Sequence, residues 1–80
     1  MRMQVDREAM ILLRMLGEEG RSVRRRIERL LKDQYPDDAR EIADEPGVYE
    51  IFEAGYWIAY EVDKSDPGET VVIIWSIEAN

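Results

Sequence analysis

The segment Tyr49–Asp63, YEIFEAGYWIAYEVD, constrains the fold of this chain more than any other. Tyr49, Ile51, Phe52, Tyr56, Trp57, Ile58, Tyr60 and Val62 are aromatic or branched side chains that suit a pleated, half-buried surface. Glu53-Ala54-Gly55 interrupts them, and the glycine supplies the backbone freedom of a tight hairpin turn. The segment therefore reads as two short antiparallel strands. Alternation turns Tyr56, Ile58, Tyr60 and Val62 to one side and Trp57, Ala59, Glu61 and Asp63 to the other. With the first set against a core, Phe52, Trp57 and Ala59 line the opposite face beside Glu50 and Glu61, and a final strand adds Val72, Ile74 and Ser76. The reverse assignment, with the tyrosines outward, is equally compatible with the alternation.

The remaining elements follow from periodicity. Met1–Val5 alternates like a short strand, and Asp6 is placed to cap a helix opened by Arg7 and Glu8. Ala9, Leu12, Leu13 and Leu16 fall on one helical face, and Gly17 ends that helix. Ile11 and Met15 lie roughly opposite this stripe: either crowding in a small domain buries them, or they form an apolar patch for a partner or a second copy. Glu18-Glu19-Gly20-Arg21 reads as a connection, with Ser22 capping a second helix whose Val23, Ile27, Leu30 and Leu31 form a clean stripe. The other side of that helix carries Arg24, Arg25, Arg26, Arg29 and Lys32, read as a solvated face in which Glu28 pairs with Arg24 and Lys32. Pro36 stops the helix, Ile42 anchors a loop, and Glu45-Pro46-Gly47 and Ser65-Asp66-Pro67-Gly68 are turns. Thr70–Ile77 is the most apolar strand. The expected architecture is α+β in the order β-α-α-β-β-β, a single domain over residues 1–80, with a helical hairpin packed on a small, mostly antiparallel four-stranded sheet.

Composition then removes several functions. The chain has neither cysteine nor histidine, which takes away disulfides, thiolates, the commonest zinc ligand and the commonest general base. It lacks an apolar run long enough for a bilayer and a signal-peptide layout, and a cytoplasmic location is expected. Residues 1–34 hold nine Lys/Arg against six Asp/Glu, whereas residues 35–80 hold two against twelve, so a net +3 half is joined to a −10 half. Phosphate backbones are repelled by the acidic half, and the basic half is the place for any nucleic acid. Glu50, Glu61 and Asp63 read as the wet face of a ribbon rather than as metal ligands, and no cofactor or metal site is expected.

The run Gly47-Val48-Tyr49-Glu50-Ile51-Phe52-Glu53-Ala54-Gly55-Tyr56-Trp57-Ile58-Ala59-Tyr60-Glu61-Val62 resembles, without a gap, the hairpin pattern of the RelE/ParE superfamily of toxin–antitoxin toxins. Asp6-Arg7-Glu8-Ala9 is similar to that family's strand-to-helix junction. Asp33-Gln34-Tyr35-Pro36 is similar to the end of its second helix, and Ile42 stands where a leucine commonly precedes the hairpin. The resemblance implies a toxin-like protein whose partner is an amphipathic antitoxin helix. It also implies, for ribonucleolytic members, arginine, lysine and tyrosine on the concave sheet face that steady a phosphate's developing charge. At the pattern's arginine positions this chain has Glu50, Phe52 and Trp57, and it ends at Glu78-Ala79-Asn80, where active members carry further basic residues and a tyrosine. Arg40 is the one catalytic candidate left. The expectation is a protein that acts by protein contact, with Glu50, Phe52, Trp57, Ala59, Glu61 and Ile74 as the partner surface. The alternatives are a ribosome-dependent endoribonuclease built from Arg40 and the helix-2 arginines, and a degenerate copy that titrates an antitoxin or self-associates as a homodimer through the patch of Ile11 and Met15.

Overall fold

The hairpin forms where its residues place it. In the computed structural model, which describes residues 1–80, β3 (Val48–Glu53) and β4 (Tyr56–Asp63) pair antiparallel with Phe52 opposite Trp57 and Tyr49 opposite Tyr60. Ala54 and Gly55 turn the chain with φ of 52° and 88°. Two successive left-handed residues are what a two-residue turn needs to match the strands' twist. Around this hairpin stand β1 (Arg2–Val5), α1 (Arg7–Met15), α2 (Glu18–Arg29), β2 (Arg40–Glu41) and β5 (Val71–Ala79). The sheet order is β1-β5-β4-β3-β2, antiparallel except for the β1–β5 pair. The fifth strand, absent from the sequence reading, is the two-residue β2. It arises because the turn at Glu45–Gly47 folds the chain back so that Ile42 N–H reaches the Val48 carbonyl at 2.8 Å. Two residues leave no period to read.

Both helices cover one face of the sheet. Asp6 caps α1, its carboxylate accepting the Glu8 N–H at 3.2 Å. Helix α2 begins earlier than its periodicity suggests: Gly17 is its N-cap, Glu18 and Glu19 occupy its first turn, and Gly20 lies buried inside it. The two acids there oppose the positive end of the helix dipole. Gly20 sits at a close α1–α2 approach, where a Cβ would stand 3.1 Å from that of Leu16, tighter than an ordinary contact. Ser22 is consequently no cap, and its hydroxyl donates to the Glu53 carboxylate, tying α2 to the hairpin tip. At the other end, the Gln34 side chain donates to the carbonyls of Leu30 and Leu31 at 2.9 and 3.0 Å, occupying acceptors that the helix end leaves free.

Val23, Leu30, Ile51, Ile58, Tyr60, Val72 and Ile74 are shut off from solvent and form the centre of the core. Burying one such side chain contributes about 1.5–3 kcal/mol. Tyr60 is the polar exception, and its hydroxyl donates to the Gln34 carbonyl at 2.6 Å. Arg26 departs from the solvated face assigned to it. It is largely covered and reaches Asp38 and Glu53, joining α2, the loop after it and the hairpin. Glu28, by contrast, makes no ion pair with Arg24 or Lys32. Ile11 and Met15 are 48% and 76% exposed, so crowding does not bury them. Neither helix is long and apolar enough to cross a membrane.

Candidate binding face of the open sheet

With the helices on one side, the other side of the sheet is left open, and its occupants follow from register. On β3 and β4, Tyr49, Ile51, Ile58 and Tyr60 turn toward the helices. The paired residues Glu50 and Ala59, Phe52 and Trp57, and Val48 and Glu61 turn outward. Glu50, Phe52, Trp57, Ala59 and Glu61 therefore share one face, and the hairpin tyrosines lie on the other. Ile74 does not join the open face. It is fully buried opposite Tyr60, as Val72 is opposite Val62. The reason is a bulge: Tyr60 pairs with Ile74 but Ala59 pairs with Ser76, which leaves Trp75 with no residue opposite. One extra residue shifts the alternation, so Ser76 is on the open face while Ile74 is in the core. Trp75, 45% exposed, takes the place that alternation had given Ile74.

The open face holds two adjoining clusters. In the first, Phe52 and Trp57 meet edge to face, with ring centroids 4.8 Å apart and planes at 60°. The Arg40 guanidinium stands 5.3 Å from the Trp57 ring centroid and donates to Glu50 at 3.1 Å. Trp57 Nε1 donates to the Asn80 side-chain oxygen at 3.1 Å, which fixes the indole. In the second, Trp75 Nε1 donates to Glu61 at 2.9 Å beside a shallow hollow of about 460 Å³ lined by Glu45, Val48, Ala59, Glu61, Trp75 and Ser76. Further along, Ser65 holds the Asp63 carboxyl below the usual range, first through its hydroxyl and then through its N–H. The result is an apolar strip of two tryptophans, a phenylalanine, a valine and an alanine, rimmed by carboxylates.

The cations of the sheet are already engaged. Arg2 on β1 is engaged by Glu69, and Arg40 by Glu50 and Trp57. The sheet lies between Arg40 and the arginines of α2, which pack on the helix side, so they do not converge on one site. No three carboxylates are arranged to hold a metal ion. Trp75 is the residue that reading the sequence missed. A bulge leaves no mark in a run as uniformly apolar as VVIIW, and the only signal was an aromatic at the end of that run.

Three solved structures are similar to this chain over nearly its full length. The crystal structure of the intact E. coli RelBE toxin–antitoxin complex matches with a TM-score of 0.78 and 20% identity, covering 98% of this chain and 94% of that one. The isolated E. coli RelE toxin also matches with a TM-score of 0.78 and 20% identity, covering 96% and 81%. A mutant of the same toxin in the free state, with two arginines replaced by alanine, matches with a TM-score of 0.74 and 20% identity, covering 96% and 80%. No protein-family model matches the chain, and no curated protein matches it in sequence. The class is thereby defined at the level of architecture: this chain has the RelE-like fold, a two-helix layer on a mostly antiparallel sheet.

Proposed function

We propose that this chain is a RelE-like toxin-family protein that works by protein contact, its open sheet face receiving an amphipathic helix with basic flanks. The observation that carries this reading is the occupancy of that face. Phe52, Trp57 and Trp75 present aromatic surface, Glu45, Glu50 and Glu61 surround it, and both cations of the sheet, Arg2 and Arg40, are held by carboxylates. Exposed aromatic residues are the side chains that most often anchor an interface, and a groove of this kind takes the apolar stripe of a helix. The surrounding carboxylates select for Lys and Arg beside that stripe and against phosphate. A similar structure is the toxin of a toxin–antitoxin complex, which supports a polypeptide as the occupant. RNA cleavage of the cationic kind is disfavoured here, because a carboxylate beside the scissile phosphate opposes the charge that develops in the transition state.

The test has two parts. Purified protein is incubated with ribosomes and a message, and the products are read by primer extension; position-specific cleavage would overturn the non-nucleolytic reading. Indole fluorescence is then followed while an amphipathic helical peptide with Lys/Arg flanks is added. Binding is expected for the parent chain, with a loss of at least about 25-fold in Phe52→Ala and Trp57→Ala, since central aromatic anchors each contribute about 2 kcal/mol or more. Unchanged affinity in both variants would remove the open face from the proposal.

A further inference from the structure

Opposite its buried stripe, α2 carries a second surface that the open sheet does not explain. Arg21, Arg24, Arg25 and Arg29, with Lys32 in the turn that follows, are all exposed. None of the five is within ion-pair distance of a carboxylate; the chain's pairs involve Arg2, Arg26 and Arg40. At 1.5 Å per residue the stripe runs about 16 Å. Arg25, Arg29 and Lys32 border the largest hollow of the molecule, about 680 Å³ between α2 and the hairpin tip. Only one of its seven lining residues is apolar, and three cations there face two carboxylates, Glu28 from α2 and Glu53 from the hairpin. This concentration of cations occurs in a chain of net charge −7, so it is not a reflection of overall composition.

We propose that the outer face of α2 binds the phosphodiester backbone of folded RNA. Guanidinium groups give phosphate oxygens paired, charge-assisted hydrogen bonds, and four of the five cations are arginines. The face carries no aromatic platform on which a fully single strand would stack, and no Asn or Gln to read base edges. Contact is therefore centred on phosphates, with unpaired bases met only by their faces, and is independent of sequence. RNA is favoured over a DNA duplex because its loops and bulges expose bases on which guanidinium planes stack while they hold phosphates. This surface lies on the helix side of the sheet, away from the acidic face, and its occupation leaves that face free. The inference does not rest on the protein-contact reading.

The experiment is fluorescence anisotropy with a labelled RNA hairpin, run beside a DNA duplex of matching sequence. With about four phosphates neutralised, log K is expected to fall against log salt with a slope of about −3 to −4, a loss of about 100-fold from 50 to 200 mM. Arg25→Glu is expected to weaken binding at least tenfold, and Glu28→Gln, which removes the one acid of the stripe, to strengthen it severalfold. A gain of affinity has no explanation in misfolding. Lys64→Glu, the same charge change in the β4–β5 turn, is expected to shift affinity less than twofold, and Phe52→Ala not at all. Absence of RNA binding at 50 mM salt would overturn the proposal. So would equal losses in Arg25→Glu and Lys64→Glu, tighter binding of the DNA duplex, or tighter binding of a poly-glutamate peptide.

Discussion

Ala54 is the only residue other than glycine whose backbone enters the left-handed region. That conformation costs an L-residue about 1–2 kcal/mol, and asparagine tolerates it better because its short amide bonds locally. Ala54→Asn would create the Asn-Gly pair preferred by such turns. It should raise stability by about 0.5–1 kcal/mol, seen as a gain of a few degrees in the melting temperature. At the opposite side of the hairpin, burial pushes the Tyr60 hydroxyl up to about 12, helped by Tyr35, Tyr49 and Asp33 nearby and opposed by Arg26. In the unfolded chain this group titrates near 10, so the folded state holds its proton more tightly. The stabilisation is complete below pH 10 and is lost as pH rises from about 10 to 12. Urea midpoints measured across that window should fall, and Tyr60→Phe should flatten the fall. At neutral pH the same variant leaves the Gln34 carbonyl without its donor, at a cost of about 0.5–1.5 kcal/mol.

The elements show where local preference yields to packing. Helix α2 accepts a glycine as its third residue, where the penalty is below the interior cost of about 1 kcal/mol, because the two-residue link Leu16–Gly17 brings α1 and α2 together at that point. Gly20→Val should therefore destabilise by about 1–3 kcal/mol, measured by chemical denaturation, despite removing a helix breaker, since the new branched side chain presses on Leu16. Strand β5 shows the same principle in another form. Its bulge lets Val72, Ile74 and Ile77 all reach the core although no even spacing joins the first two to the third, and the displaced residue, Trp75, becomes part of the open face. Trp75→Ala should cost the fold less than about 1 kcal/mol, because the side chain is near the surface, while removing one wall of the hollow beside Glu61.

At the scale of the whole molecule, the fold sorts charge as well as apolar surface. The exposed cations of α2 and the hairpin carboxylates Glu50 and Glu61 end up on opposite sides of one sheet, so a chain of net charge −7 presents a basic face and an acidic one. Ile11 and Met15 are the two large apolar side chains that α1 exposes, whereas a stable interface buries about 800 Å² per partner. Sedimentation equilibrium at micromolar concentration should accordingly return a monomer, and a dimer abolished by Met15→Glu would show that the patch recruits neighbouring surface. The sequence alone carried the order of the two helices and the four longer strands, the cap at Asp6, the turn at Ala54-Gly55 and the division of β4 into two alternating sets, all set by interactions within a few residues; which of those sets faces the helices came from packing. The partners of Ser22 and Arg26, the start of α2, the two-residue β2 and the side to which Ile74 and Trp75 belong were decided only by tertiary structure. Each depends on a contact between segments distant in the chain: α2 with the hairpin tip, α1 with α2, and β5 with β4. A periodic pattern records which residues prefer burial. It does not record the one-residue slip that lets a strand satisfy two neighbours at once.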